Sequence, residues 1–308
     1  MPSSPRPRAR VDRRTVLLGV GGVAVLGAVG AGVALRTART SGEAQVTPTA
    51  PPRPVDALRA ARPATVAHRG GSRDWPEMSL YAYRQSVAAG VDALEMSLSR
   101  TSDGVWFGLH DETLDRTSGT SGFVAAEHTW SEVQRYRISA AGTTDPGQSD
   151  QPYARFDEFV REFGRDHALF VDPKYVGADF YPELFEIART QLGTADLTQT
   201  LVGKGYCTQT EWGDLASARG CETWGYYYAD ELAGDPELLT RTSGSWSLLG
   251  LDWSAPADTW STLAATGKPV YGHIVPDLDA AHTALDQGAD GLVVSGVADV
   301  VGPLTTEG

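Results

Sequence analysis

Val66-Ala67-His68-Arg69-Gly70-Gly71, Pro76-Glu77, Leu94-Glu95-Met96-Ser97 and Leu109-His110-Asp111 place two histidines, two glutamates and an arginine at the ends of apolar, strand-like segments. Asp172-Pro173-Lys174 closes a later segment of the same kind. This is a set suited to cutting a phosphodiester. Such a bond is anionic and its alkoxide leaving group is poor. Cleavage therefore needs a cation on the phosphoryl oxygens, a base for the attacking oxygen and an acid for the departing one. Histidines titrate near neutrality and can exchange the last two roles. His68 and His110 are the candidate catalytic pair, and the residues leave open which is acid and which is base.

These side chains need a scaffold that brings separate strand ends together. Short β-branched or aromatic runs at 65–68, 93–98, 169–172, 200–204, 222–226, 248–252, 269–273 and 291–294 predict eight strands. Helical patterns at 79–89, 182–192, 211–218, 259–265 and 278–287 alternate with them. Strand and helix in eightfold alternation predict a (β/α)8 TIM barrel, with a doubly wound open sheet as the alternative. The run 105–110 is a second strand joined through Ser102-Asp103-Gly104, a hairpin signal. The loop-rich stretch 113–149 after it predicts an insertion over the barrel mouth. In a TIM barrel catalytic groups gather at the C-terminal ends of the strands, where His68, Arg69, Glu95, Asp172 and Lys174 all fall.

The ordered run His68-Arg69-Gly70, Pro76-Glu77, Glu95, Thr101-Ser102-Asp103-Gly104, His110-Asp111 and Leu114-Asp115-Arg116-Thr117 resembles the glycerophosphodiester phosphodiesterase family. Asp172-Pro173-Lys174 is similar to its acidic-x-Lys motif, and Ala289-Asp290-Gly291 to its last-strand motif. The likeness is close in the first half and mostly architectural beyond Lys174. It implies a TIM-barrel, metal-dependent enzyme that hydrolyses glycerophosphodiesters to glycerol 3-phosphate and an alcohol. The adjacent glycerol hydroxyl would attack phosphorus, and water would then open the cyclic phosphate. Arg69 and Lys174 would bind the phosphoryl oxygens as substrate-binding cations. Glu95, Asp172 and Glu77 would be the metal ligands, an all-oxygen set that favours Mg2+ or Ca2+ over zinc. Glu77 has a second reading, as an acid in the first turn of the helix near Ser79.

The departures from that pattern concern the metal. The family has Glu-x-Asp on the second strand, and this chain has Glu95-Met96-Ser97. Losing a carboxylate lowers the ligand charge and predicts weaker metal binding. Asp172 stands for the longer Glu, Met78 for Asn and Ser295 for Asp. Two other functions therefore stand beside hydrolysis: a degenerate barrel that binds a phosphate-bearing ligand without turnover, and a sphingomyelinase D-like reaction that stops at the cyclic product. His273, Asp252 and Lys204 end strands and are secondary rim candidates. Trp75, Trp224, Tyr226 and Trp253 are candidates for the pocket mouth. His128, His167 and His282 have no acid at a useful spacing and are read as surface residues.

Residues 1–40 differ from the rest. Seven arginines against Asp12 give them six net positive charges, so the chain's −13 becomes −19 for the remainder. A surface that acidic repels nucleic acid and suits a small substrate in a local basic pocket. Asp12-Arg13-Arg14-Thr15 precedes twenty uncharged residues, 16–35, which predicts a twin-arginine-like export signal or, if uncleaved, a membrane anchor. The protein is therefore expected outside the cell or on the outer face of its membrane. Residues 41–60, with Pro48, Pro51, Pro52 and Pro54, read as a disordered linker before a catalytic domain at 61–308. No protein partner is evident. Cys207 and Cys221 fall at opposite ends of the barrel, too far apart to bridge, and predict free thiols.

Overall fold

A computed structural model describes residues 53–307 except 146, 147 and 194. The expected export segment and the first part of the linker lie outside the described residues.

Among the described residues there are eleven strands: β1 (Ala64–Ala67), β2 (Ala93–Arg100), β3 (Trp106–Gly108), β4 (Arg137–Ile138), β5 (Gln151–Pro152), β6 (Ala168–Pro173), β7 (Leu201–Tyr206), β8 (Glu222–Tyr227), β9 (Leu248–Asp252), β10 (Val270–Val275) and β11 (Gly291–Val294). β1, β2 and β6 to β11 are parallel, each paired with its neighbour in chain order, and β1 pairs with both β2 and β11. The sheet is therefore closed into a (β/α)8 barrel, which removes the open-sheet alternative. β3 runs antiparallel on β2 as the hairpin required.

Side-chain alternation sorts the barrel interior into levels. Val66, Ala93, Phe170, Val202, Trp224, Leu248, Tyr271 and Val293 form an apolar inner cluster. Towards the C-terminal ends the same strands carry the buried polar residues Glu95, Ser97, Asp172, Lys204 and His273 and the part-buried Tyr226. The register Ser97↔Asp172 on β2 and β6, with Val171↔Gly203 on β6 and β7, sets three of these side by side. Outside the barrel a second cluster packs helix faces such as Phe156, Phe159, Leu184, Trp212 and Trp260 against the strands.

Two expectations need correction. Pro54–Ala60, read as linker, is a helix whose Val55 and Leu58 are buried in the inner cluster. The folded part thus begins before residue 61. The insertion, expected over the mouth, lines the central cavity with none of its described residues, although its Thr144 and Asp145 hydrogen-bond with Asp74 and Trp75 in the loop after β1. It folds beside β2 and β3 around its own small core of Phe107, Leu109, Leu114, Val133, Ile138 and Tyr153. Cys207 and Cys221 are buried free thiols, as expected.

Candidate active site

The chain leaves β1 through a tight left-handed turn. Arg69, Gly70 and Gly71 have φ of 52°, 75° and 81°, a region that disfavours side chains. A Cβ on Gly70 would sit 3.1 Å from both Ala82 and the Tyr83 ring, so glycine is required there for space as well. The turn aims the Arg69 backbone N–H at Glu95 Oε2, 2.7 Å away. It leaves the Arg69 Nε buried without a partner. His68, 5% exposed, is held well below the ordinary histidine range by burial, reinforced by Arg69 and Lys204.

His110 follows β3 and owes its orientation to the insertion. Its Nδ1 lies 2.8 Å from Asp111 Oδ1, while Arg116 Nε donates to Asp111 Oδ2 at 2.6 Å. Arg116 also grips Glu77 with two bonds, at 3.1 and 2.7 Å. With Nδ1 anchored, the ring's Nε2 is the nitrogen left for proton transfer. Burial and then Arg69 lower the His110 pKa, and Asp111 opposes them. Asp111 and Arg116 lie within the motif, but their action on His110 is visible only once the insertion is folded.

Behind these groups lies a buried ionic network. Lys204 Nζ donates to Glu95 Oε1 at 2.9 Å and to Asp172 Oδ2 at 2.7 Å. Lys174 Nζ is 2.8 Å from the same Asp172 oxygen and 2.8 Å from Tyr226 Oη. Ser97 Oγ donates to Glu95 Oε1 at 3.0 Å. Burial alone would raise the Glu95 pKa, yet Lys204 and Arg69 outweigh it and hold the carboxyl below its usual range. The same pairing overcomes burial at Lys204 and raises its pKa, so the ammonium stays charged.

His68, Arg69, His110, Lys174, Lys204, Trp224, Tyr226, Tyr228 and His273 converge on one cavity at the C-terminal end of the barrel. His273 is neutral at physiological pH, its pKa pushed down by burial to about 4, and its Nε2 lies 3.0 Å from the Tyr227 carbonyl. Trp75 and Trp253 are not among the lining residues; Trp75 Nε1 instead donates to Asp145 at 3.2 Å. Asp252 is structural: Oδ1 accepts from the Ala229 N–H. His128 does have an acid nearby, Glu132 at 3.7 Å, and stacks on Phe123.

Glu95, Asp172 and Glu77 do not form the metal cradle expected of them. Both oxygens of Glu95 are occupied by donors of the chain, and Glu77 is turned to Arg116 and Arg69. Of the carboxylate oxygens of these three residues, Asp172 Oδ1 alone is buried and unpartnered. Among the described residues no three acids, histidines or cysteines are gathered as a metal site. A unit charge about 4 Å from another of the same sign costs about 4 kcal/mol at an effective dielectric of 20, and a dication beside Lys204 would meet roughly twice that. These residues do not fit a divalent ion with Lys204 in place.

A model of the glycerophosphoryl diester phosphodiesterase family matches residues 68–294. Mouse glycerophosphodiester phosphodiesterase 1 is 40% identical over 114 residues, which cover 37% of this chain and 34% of that protein. The chain spans about a quarter to a third of the length of the curated relatives it first matches. An Oleispira antarctica phosphodiesterase solved with the product sn-glycerol-3-phosphate has the same fold, with a TM-score of 0.61 and 18% identity over 80% of this chain and 98% of that one. So does a Thermotoga maritima glycerophosphodiester phosphodiesterase, with a TM-score of 0.61 and 15% identity over 80% and 99%.

Proposed function

The chain belongs to the glycerophosphoryl diester phosphodiesterase family, and from that premise we propose that it hydrolyses glycerophosphodiesters to glycerol 3-phosphate and an alcohol. One observation carries the reading: two histidines with lowered pKa, an arginine with an unspent Nε and a lysine line one cavity at the catalytic end of the barrel.

His68, the more deeply buried and the more strongly neutral, is suited to take the proton from the attacking glycerol hydroxyl. His110, supported by Asp111, is suited to hand a proton to the departing alkoxide. Arg69 and Lys174 would hold the phosphoryl oxygens as charge builds on them. The first step leaves His68 protonated and His110 neutral. That is the arrangement needed for water to open the cyclic phosphate with the roles reversed. Enzymes of the family generally use a divalent metal; the donor set here does not match one, and the proton transfers described rest on the chain's own groups.

Incubating the purified full chain with a panel of glycerophosphodiesters tests the proposal, with enzymatic detection of glycerol 3-phosphate and phosphorus NMR of the product. Release of glycerol 3-phosphate from at least one is expected; a cyclic phosphate as final product would favour the sphingomyelinase D-like outcome. Ser97, where the family has a carboxylate, favours a second reading in which the barrel binds a phosphate ligand without turnover. Calorimetric binding with no product would establish that reading instead.

We also place the protein outside the cytoplasm, a reading supported by Arg13-Arg14 ahead of the uncharged stretch 16–35. Among the described residues no helix is long and apolar enough to cross a membrane. Fractionation of cells making the full chain, against a variant with Arg13→Lys and Arg14→Lys, should show loss of export.

A further inference from the structure

We infer that Lys204 is the resident cation of this site, its ammonium taking the position between Glu95 and Asp172 that a divalent ion would need, so that the protein works on phosphodiesters without a metal. The inference rests on the proposed activity for its catalytic half and on geometry alone for its binding half.

The geometry is a closed set. Lys204 is 5% exposed and reaches both carboxylates, at 2.9 and 2.7 Å, from β7. β2, β6 and β7 bring Ser97, Asp172 and Lys204 to one level of the barrel through their register. An aspartate at 97 would stand beside Asp172 and Glu95 and add a third negative charge. Serine there instead donates a hydrogen bond to Glu95. Three carboxylates around a dication leave one negative charge, and two carboxylates around one ammonium leave the same. Serine at 97 and lysine at 204 thus act as a matched pair, one removing a ligand and the other supplying the charge.

The ammonium also faces the substrate space. Two of its three N–H groups are spent on Glu95 and Asp172, and Lys204 lines the same cavity as His68, Arg69 and His110. Its third N–H remains for a phosphoryl oxygen. With Lys174 and Arg69 it gives the cavity three cationic side chains to face a phosphodiester anion.

Two measurements on the full chain decide this. The first is metal uptake, by calorimetry and elemental analysis after chelator treatment. The wild type should bind no stoichiometric Mg2+ or Ca2+, whereas the double variant Ser97→Asp with Lys204→Ala should gain one equivalent. One tightly held ion in the wild type would overturn the inference. The second is turnover with chelator present: wild-type activity should change by less than about twofold, and Lys204→Met should lose about a hundredfold or more without rescue by added metal. Loss of wild-type activity on chelation, restored by a divalent ion, would equally overturn it. Wild-type uptake does not depend on any variant folding. If no glycerophosphodiester is turned over under any condition, the proposed activity fails, while the uptake experiment still decides what Lys204 replaces.

Discussion

At the scale of single residues the acid/base pair is the most exposed to test. Removing a positioned general acid or base typically costs 10²- to 10⁴-fold, so His110→Ala and His68→Ala should each lower kcat by about that much. Asp111 holds the His110 ring and raises its pKa. Asp111→Asn should therefore reduce kcat/KM by about tenfold and move the alkaline limb of the pH profile to lower pH. The sign follows from the roles: activity needs His68 neutral and His110 protonated, and both pKa values lie below the ordinary 6.5. The kcat/KM optimum is expected on the acid side of that value. His273 predicts a stability effect as well. Its folded pKa of about 4 against 6.5 means the unfolded chain binds the extra proton in between. Stability is complete above pH 6.5 and falls as the pH drops towards 4, by about 1.4 kcal/mol per unit. Acid melts of wild type and His273→Gln should diverge across that window.

Individual elements place these residues through capping and turn chemistry. Ser79 accepts the Ala82 N–H at 3.0 Å and opens the helix Leu80–Ala89, and its own hydroxyl donates to Pro76 at 2.8 Å. That helix supplies Tyr83, whose hydroxyl donates to the Glu95 carbonyl at 2.9 Å. Ser79→Ala should cost about 1 kcal/mol or somewhat more in a denaturant titration, and the loss should be felt in kcat because Glu95 borders the site. Gly70→Ala is expected to be worse, since the left-handed conformation adds about 1 to 2 kcal/mol to the close approach of Ala82 and Tyr83. The strands were legible as apolar runs because parallel strands buried on both faces read that way. The helices Phe156–Phe163 and Val297–Glu307 went unread: the first follows directly on the insertion, and the second contains Gly302 and Pro303. The insertion was legible as irregular chain, but not its place beside β2 or the grip of Arg116 on Asp111 and Glu77.

For the molecule as a whole, closure of the barrel brings strands from opposite ends of the sequence into contact, and the helix Pro54–Ala60 joins its inner core. Leu58→Ala should cost about 2 to 5 kcal/mol by thermal or chemical denaturation, as expected for a buried leucine. The sequence by itself determined the eight strands, the order of the motifs, the two histidines, Arg69 and Lys174, because these are local features of residue type and spacing. It also showed that Ser97 lacks the charge a metal ligand would bring. Only the tertiary structure decided what answers that loss. Lys204 lies 109 residues from Glu95, and the sequence marks it only as a rim candidate at a strand end, with nothing local to pair it with Glu95 and Asp172. The closed register of β2, β6 and β7 sets its ammonium between Glu95 and Asp172, since charge compensation in a barrel interior depends on which strands are neighbours and at what level their side chains meet.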